Sequence, residues 1–308
     1  MELEDVLTRM ENTFGDYGVP TNEGDLLRLQ EATAPLPESI LELYRKRNAS
    51  TKLARISGSQ LTARLMPTGE AIQFNKRTAE FSQHLPKVAN VVWLWTDDNS
   101  NYVGAYTDGR LSGWLTLLDH EKPVLVPAFR SVAGFLTRLL KFAPGRSAEY
   151  EAACDLPTVP REVPAIEDDP RYMASDRSLA TAFREEYLNG NDVEKRRLSA
   201  MCAICLTPVA DTSLVLEFLR DRDMWIPETA VSLLELRNFR EGIPYLEALA
   251  RDGTANGDSA AMRLLVRIGT RPSQMAISRL KNCLDGRKLA SLEMWTEFRS
   301  RLQPPRWP

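Results

Sequence analysis

A proline-rich stretch divides the chain into two regions whose apolar residues follow different patterns. Before it, the sequence mixes the 3.6-residue period of helices with the runs typical of strands, whereas after it every signal is helical. Five prolines lie between Ala143 and Pro170 among acidic residues, a composition that favours a partly extended linker. Since 308 residues correspond to about two domains, we predict domains at 1–142 and 172–308, joined by a linker at 143–171.

The first domain is predicted to begin with three helices and to end with another. The apolar residues that recur at the spacing of one helical face are Leu3, Val6, Leu7 and Met10. A second helix is predicted at 25–33. A third begins at Pro37, because proline is tolerated in the first turn of a helix. The closing helix starts after Ser131, an N-cap residue that precedes apolar positions at helical spacing.

Strand signals occupy the middle of the first domain. We predict strands at 60–66, 70–74, 91–95, 102–106, 111–117 and 124–126. Pro67-Thr68-Gly69 and Asp108-Gly109 each separate two of these runs, and such turn residues predict hairpins. The 91–95 run is apolar at every position, as expected of a strand covered on both faces. The first domain is therefore predicted to be α+β.

The second domain carries a weak repeat of about 30 residues. Ala200, Ala230 and Ala261 are 30 and 31 residues apart, and the residues that keep the same offsets are Ile204, Leu234 and Leu265. Second apolar helices follow near 243–249 and 275–284, and a cap helix lies near 289–302. Because one helix pair cannot cover its own apolar face, the period predicts stacked pairs. We therefore predict an all-α solenoid of roughly three units.

Charge and cysteine content narrow the class of protein. Lys and Arg number 39 against 42 Asp and Glu, a net charge of -3. Residues 1–150 contain 17 basic and 18 acidic side chains, and the rest of the chain contains 22 basic and 24 acidic side chains. Neither half has the excess of basic residues that is typical of a nucleic-acid-binding protein. The first residues do not resemble a signal peptide, and no apolar run reaches the ~20 residues of a membrane span. Four cysteines are too few for a disulfide framework. We expect a cytoplasmic protein that binds neither nucleic acid nor membrane.

Several short motifs occur together in the first domain. Leu36-Pro37 opens a helix that contains the aromatic Tyr44, and Asn48 follows that helix. Later come the 93–98 strand and turn, the 99–106 run, and a helix at 131–140 that contains Phe135 and Leu136. In this order the motifs resemble the SUKH superfamily, over roughly residues 20–142. The second domain is similar to HEAT-like repeats.

The resemblance to the SUKH superfamily implies an α+β domain whose helices pack on a mixed sheet and which has no catalytic activity. Many bacterial members of that family are immunity proteins, which bind and neutralise a toxin delivered between competing cells. The resemblance therefore implies a protein partner, namely a cognate toxin or effector.

Five residues near the predicted central strands are candidates for partner binding: Asp97, Asp98, Asn99, Tyr102 and Trp114. The polar run at 97–101 follows a buried strand, where Asx turns explain such residues. The alternatives are partner contact and, less favoured because calcium-loop spacing is missing, a metal site. Tyr102 belongs to an aromatic cluster that is otherwise typical of a core. Strand alternation places Trp114 opposite to Leu111 and Leu115, so Trp114 faces outward if these leucines face inward. An exposed aromatic residue on a sheet is suited to anchor an interface.

The sequence lacks the patterns that catalysis or metal binding requires. No Gly-x-Ser-x-Gly, His-Glu-x-x-His or phosphate-binding glycine loop occurs, and the two histidines are His84 and His120. Cys202 and Cys205 form a Cys-x-x-Cys, but a zinc site needs about four ligands, and packing in the core is the expected role of this pair. We expect no catalytic residue, no metal and no cofactor.

Three functions stay open at the level of the sequence. The first is a non-catalytic protein-binding module, specifically an immunity protein that neutralises a cognate bacterial toxin. The alternative is an endogenous scaffold or regulatory adaptor that bridges cytosolic proteins, and the third is an enzyme of unrecognised type. The sequence identifies neither the toxin, nor the domain that carries the interface, nor the oligomeric state.

Overall fold

The computed structural model describes residues 3–14, 20–33, 35–47, 64–84, 87–96, 101–118, 125–141, 168–237, 239–253 and 255–301. The chain divides into two compact units, Met1–Val163 and Pro164–Pro308. The predicted linker lies outside the described residues except for 168–171. The carboxylate of Asp168 accepts hydrogen bonds from the amides of Val209 at 2.7 Å and Ala210 at 2.8 Å. Residue 168 is therefore already part of the packed second unit.

Five helices form in the described part of the first unit. They are α1 (Leu3–Phe14), α2 (Glu23–Thr33), α3 (Glu38–Lys46), α4 (Thr68–His84) and α5 (Val132–Lys141). The predicted helical face of α1 is confirmed, because Val6, Leu7 and Met10 are buried. The predicted N-cap of α5 is also confirmed, since the hydroxyl of Ser131 accepts a hydrogen bond from the amide of Gly134 at 3.1 Å.

Five described strands form one sheet in the first unit. They are β1 (Arg64–Leu65), β2 (Val91–Thr96), β3 (Tyr102–Tyr106), β4 (Leu115–Leu118) and β5 (Pro127–Phe129). The strands lie in the order β1-β2-β3-β4-β5, and each pairing among them is antiparallel. The α+β class is confirmed, but the expectation of a mixed sheet is wrong. Each strand pairs with its neighbour in sequence. The connections between β2, β3, β4 and β5 are at most eight residues long, whereas a parallel pair needs a crossover of about a dozen or more.

The core of the first unit lies between the sheet and its helices. Trp93 and Trp95 of β2 are fully buried. The ring of Trp95 meets that of Phe135 on α5 edge-on at 5.1 Å between centroids, and Phe135 also packs on Phe129 of β5 at 5.0 Å. These aromatic contacts hold α5 against the sheet.

The predicted hairpin at 67–69 is wrong, because residues 70–74 belong to α4. The amide of Ala71 bonds to the carbonyl of Pro67 at 2.8 Å, so the turn residues form the start of a helix. A short apolar run does not distinguish a strand from a helix by its periodicity. The strand predicted at 124–126 is found instead at Pro127–Phe129. Of the strand predicted at 60–66, residues 60–63 lie outside the described residues.

The hairpin of β3 and β4 is confirmed, but its connection is longer than the predicted tight turn. A 3₁₀ helix, Gly109–Leu111, follows Asp108, and β4 begins at Leu115 rather than at residue 111. Gly109 and Gly113 have φ of 67° and 85°, which glycine adopts without steric cost. The longer turn leaves Trp114 just before β4.

The described residues of the second unit form helices and no strand. The elements are α6 (Met173–Asn189), α7 (Val193–Leu206), a 3₁₀ segment (Val209–Arg220), α8 (Trp225–Leu236), α9 (Ile243–Asp252), α10 (Ala255–Ile268), α11 (Arg271–Cys283) and α12 (Gly286–Arg301). The all-α class of this region is confirmed. The 3₁₀ segment has no counterpart in the predicted helix pairs.

Alternate elements of the second unit contact one another in two series. In the first, α7 contacts α8, α8 contacts α10, and α10 contacts α12. The second series runs from α6 through the 3₁₀ segment and α9 to α11. Ion pairs join α6 to the 3₁₀ segment. The hydroxyl of Tyr245 on α9 donates to the carbonyl of Leu216 in that segment at 3.0 Å, and α9 contacts α11. We call this second series the outer row.

The Cys-x-x-Cys pair lies in α7. Cys202 and Cys205 are buried, as are all the residues from 198 to 206. The expected role in core packing is therefore confirmed. None of the described helices is both long enough and apolar enough to cross a membrane.

Candidate functional site

An open groove of about 420 Å³ lies on the first unit between α4 and the ends of three strands. It is lined by Met66, Glu70, Phe74, Arg77, Thr78, Thr96 and Tyr102. Met66 follows β1, Thr96 ends β2 and Tyr102 begins β3. The other four residues belong to α4 and recur at the spacing of one helical face. The groove is therefore built by the packing of α4 on one edge of the sheet.

A side-chain amide fixes α4 to the sheet. The backbone N–H of Trp93 donates to Oδ1 of Asn75 at 2.9 Å, and Nδ2 of Asn75 donates to the carbonyl of Trp93 at 2.8 Å. The short β1 pairs with Trp95 and Thr96 of β2 but not with Trp93. Asn75 thus supplies the donor and the acceptor that a further strand residue would provide.

Aromatic rings form one wall of the groove. The ring of Tyr102 packs on Phe74 of α4 at 4.4 Å between centroids, inclined by 35°. On its other side Tyr102 approaches Trp93 at 6.3 Å. Trp93 is buried whereas Tyr102 is half-buried, so the ring of Tyr102 is supported by packed aromatic side chains.

The two charged groups of the groove differ in their availability. The guanidinium of Arg64 donates twice to the carboxylate of Glu70, at 2.7 Å to each oxygen. Arg77 is exposed, and its Nε donates to the carbonyl of Gln73 on its own helix at 3.4 Å. Among the described residues, no carboxylate lies within salt-bridge distance of Arg77. Arg77 is therefore the charged group of the groove that is available to a ligand.

A buried tyrosine supports the floor of the groove. The hydroxyl of Tyr44 on α3 donates to the carbonyl of Met66 at 2.9 Å. Burial raises the pKa of Tyr44 well above its usual value, and the negative charge of Glu70 raises it further. Tyr44 therefore stays protonated at neutral pH and acts as a fixed hydrogen-bond donor to Met66.

The structure places the sequence-predicted site residues in different positions. Tyr102 lines the groove. Asp97, Asp98 and Asn99 lie outside the described residues, although Thr96 and Tyr102 on either side of that run both line the groove. Trp114 is half-buried, and its carbonyl accepts from the amide of Tyr106, at the opposite end of β3 from Tyr102. A strand of this length separates its two ends by about 13 Å, so Tyr102 and Trp114 do not form one site.

Sequence reasoning missed the helical side of the groove. Phe74 and Arg77 were hidden by the strand predicted at 70–74. The spacing of Glu70, Phe74 and Arg77 at i, i+4 and i+7 is the signal that would have placed them on one helical face.

Neither a search for metal-ligating side chains in the described part of the chain nor a comparison with known proteins adds a functional residue to this groove. The described residues contain no group of three or more His, Cys, Asp or Glu side chains arranged to hold a metal ion. Of the two histidines, His120 lies outside the described residues and the side chain of His84 is not described. Comparison of the sequence with protein-family models and with curated proteins finds no match.

Proposed function

We propose that this chain is a non-catalytic protein-binding module and that the groove beside Tyr102 contacts its protein partner. The observation that carries the proposal is the half-buried Tyr102 ring packed on Phe74, next to the available guanidinium of Arg77. Tyrosine and arginine are enriched at the energetic centres of protein interfaces, where a rigid ring costs little entropy on binding.

The partner that we propose is a bacterial toxin, which the chain neutralises as an immunity protein in the cytoplasm. The SUKH-like motifs support this proposal, because they cover roughly residues 20–142 and the groove lies within that region. The HEAT-like reading of the second unit is part of the same proposal. It is supported by the succession of contacts between alternate helices, which is the arrangement that stacked helix pairs produce.

Neutralisation by this groove requires shape and charge rather than chemistry. A stable interface covers about 800 Å² on each partner, so the partner also covers the surface around the groove. In that arrangement Tyr102 acts as the apolar anchor, and Arg77 pairs with a carboxylate of the partner. Glu70 keeps its ion pair with Arg64 and maintains the shape of the wall.

The test is co-expression with the product of the neighbouring gene, with survival and co-purification as the two measurements. We expect the wild-type chain to restore growth and to form a complex. The double variant Tyr102→Ala/Arg77→Ala should weaken the complex by at least about tenfold, the typical effect of losing a central interface residue. The matched control is Arg28→Ala, which removes an equally exposed arginine from α2 of the same unit.

Three results would count against the proposal. No complex and no protection with the wild-type chain would refute neutralisation. Full protection by the double variant would remove the groove from the interface. A growth defect on deletion of the gene in the absence of any competitor would favour the alternative function, an endogenous adaptor.

A further inference from the structure

The second unit carries a repeated surface feature that the proposed function does not use. Two of the three steps of the outer row are made by ion pairs between an arginine and a carboxylate: Arg177 with Asp211, Arg184 with Glu217, and Arg279 with Glu247. The first two pairs join α6 to the 3₁₀ segment, and the third joins α11 to α9.

In each of these pairs the arginine is more exposed than the acid. The side chain of Arg279 is 55% exposed and that of Glu247 is 17% exposed, and the values for Arg177 and Asp211 are 49% and 23%. The difference is smaller for Arg184 and Glu217 but has the same sign. The outer row therefore presents guanidinium groups to its surroundings and keeps their carboxylates beneath them.

The stereochemistry of the pairs leaves part of each guanidinium available. Arg177, Arg184 and Arg279 all use Nε and one terminal nitrogen, Nη2, to hold the carboxylate. A guanidinium has five N–H donors, so the N–H groups of Nη1 are not used in these pairs. The ion pairs also fix the orientation of the arginines, which lowers the entropy that a further contact would cost.

Exposed apolar side chains lie beside these arginines. Leu188 is one turn beyond Arg184 on α6, and Met275 is one turn before Arg279 on α11. Leu214 is 52% exposed and lies three residues from both Asp211 and Glu217. Residues three apart lie above one another in a 3₁₀ helix, so Leu214 lies on the same face as Glu217. We call the three arginines with Leu188, Leu214 and Met275 the arginine stripe.

We propose that the arginine stripe binds an acidic, amphipathic segment of a protein partner. Carboxylates of the segment bind the exposed edges of the guanidinium groups, and its apolar side chains cover Leu214 and its neighbours. The unused N–H groups of Nη1 are charged donors, and carboxylates are the protein groups that accept from such donors most strongly, so the partner is acidic. The exposed apolar residues beside the arginines favour a protein over a nucleic acid.

The length of the stripe sets the length of the segment. From α6 to α11 the outer row makes three steps, each of about 10 Å between neighbouring axes. A helix of about 20 residues has the matching length of ~30 Å. Because the stripe lies on the second unit and the groove on the first, either surface can be tested without the other.

The test uses a displayed library of random peptides, each about 20 residues long, selected on the full chain. We expect the selected peptides to combine Asp or Glu with apolar residues at helical spacing. Their affinity, measured by fluorescence anisotropy, should fall at least about tenfold in the triple variant Arg177→Gln/Arg184→Gln/Arg279→Gln. The variant Leu214→Ser leaves every ion pair in place and should also weaken binding. Arg28→Gln on α2 serves as the control and should bind as the wild type does.

Several outcomes would overturn this proposal. One is a selected pool with no excess of acidic residues, or no selected pool at all. Another is unchanged affinity in both the triple variant and Leu214→Ser. If a DNA duplex displaces the peptide, and if binding of that duplex requires the three arginines, the stripe would be assigned to nucleic acid instead. Far-ultraviolet circular dichroism confirms that each variant is folded. Loss of peptide binding by the triple variant with intact toxin protection would separate this surface from the proposed function.

Discussion

Asn75 makes the contact on which the groove depends, and its replacement by alanine gives the sharpest test of the fold. The side chain satisfies both backbone groups of Trp93, at 2.9 Å to the N–H and 2.8 Å to the carbonyl. Trp93 is buried, so water does not replace the lost partner without local opening. The third hydrogen bond of Asn75, to the carbonyl of Ala71, adds little because that carbonyl already lies within α4.

The expected loss of stability follows from these two backbone groups. A buried polar group left without a partner costs about 1–3 kcal/mol. Two such groups give roughly 2–6 kcal/mol, and alanine returns about 0.6 kcal/mol through its higher helix propensity. We therefore expect Asn75→Ala to lower the free energy of unfolding of the first unit by about 3 kcal/mol.

The assay is urea-induced unfolding combined with hydrogen exchange at the amide of Trp93. The chain has two units, so the residue-specific exchange assigns the change to the first. Gln73→Ala is the control, since residue 73 lies on the exposed side of α4 and should change stability by less than about 0.5 kcal/mol. A loss below about 1 kcal/mol, or an amide of Trp93 that stays protected from exchange, would refute the role assigned to Asn75.

Two further predictions concern local packing and pH. Gly104→Ala should destabilise the first unit by about 1–3 kcal/mol in urea unfolding, because a Cβ at residue 104 would lie 2.8 Å from Cε3 of Trp93 and 2.9 Å from the carbonyl oxygen of Val92. The control is Gly69→Ala, whose new Cβ meets nothing within 4 Å and should not destabilise the unit. Equal losses of stability in the two variants would contradict this steric explanation. Burial, together with the hydrogen bond to Asp221, raises the pKa of Tyr187 to about 12. This stabilisation is complete below pH 10 and declines as the pH rises towards 12. The difference in absorbance at 295 nm between wild type and Tyr187→Phe should titrate near pH 12, and a midpoint near 10.0, the ordinary pKa of a tyrosine, would contradict the buried hydrogen bond.

The elements that could be predicted are those whose signal is local. The face of α1 and the N-cap of α5 follow from residues within one or two turns of each other. The uniformly apolar 91–95 run likewise gave β2. The error at 70–74 arises because both α4 and a strand satisfy the local pattern. The contact that stabilises α4 there joins Asn75 to Trp93, which lies 18 residues further along the chain.

The candidate groove could be predicted only in part for the same reason. Tyr102 was identified from its position in the aromatic strand region, and it does line the groove. Strand alternation orders side chains between two faces but does not locate them along the strand. The 3₁₀ turn at Gly109–Leu111 then shifted the start of β4, and Trp114 lies at the far end of β3.

The ion pairs of the outer row show a further limit of sequence reasoning. Their partners are 32 to 34 residues apart, close to the period of about 30 that the apolar residues predict. The apolar repeat thus predicts which elements are neighbours. The sequence does not indicate which carboxylate pairs with an arginine at an exposed helix position. Exposed ion pairs contribute only about 0–1 kcal/mol each. Because stability places little constraint on these arginines, the glutamine variants are expected to lose peptide binding while keeping the free energy of unfolding of the wild type.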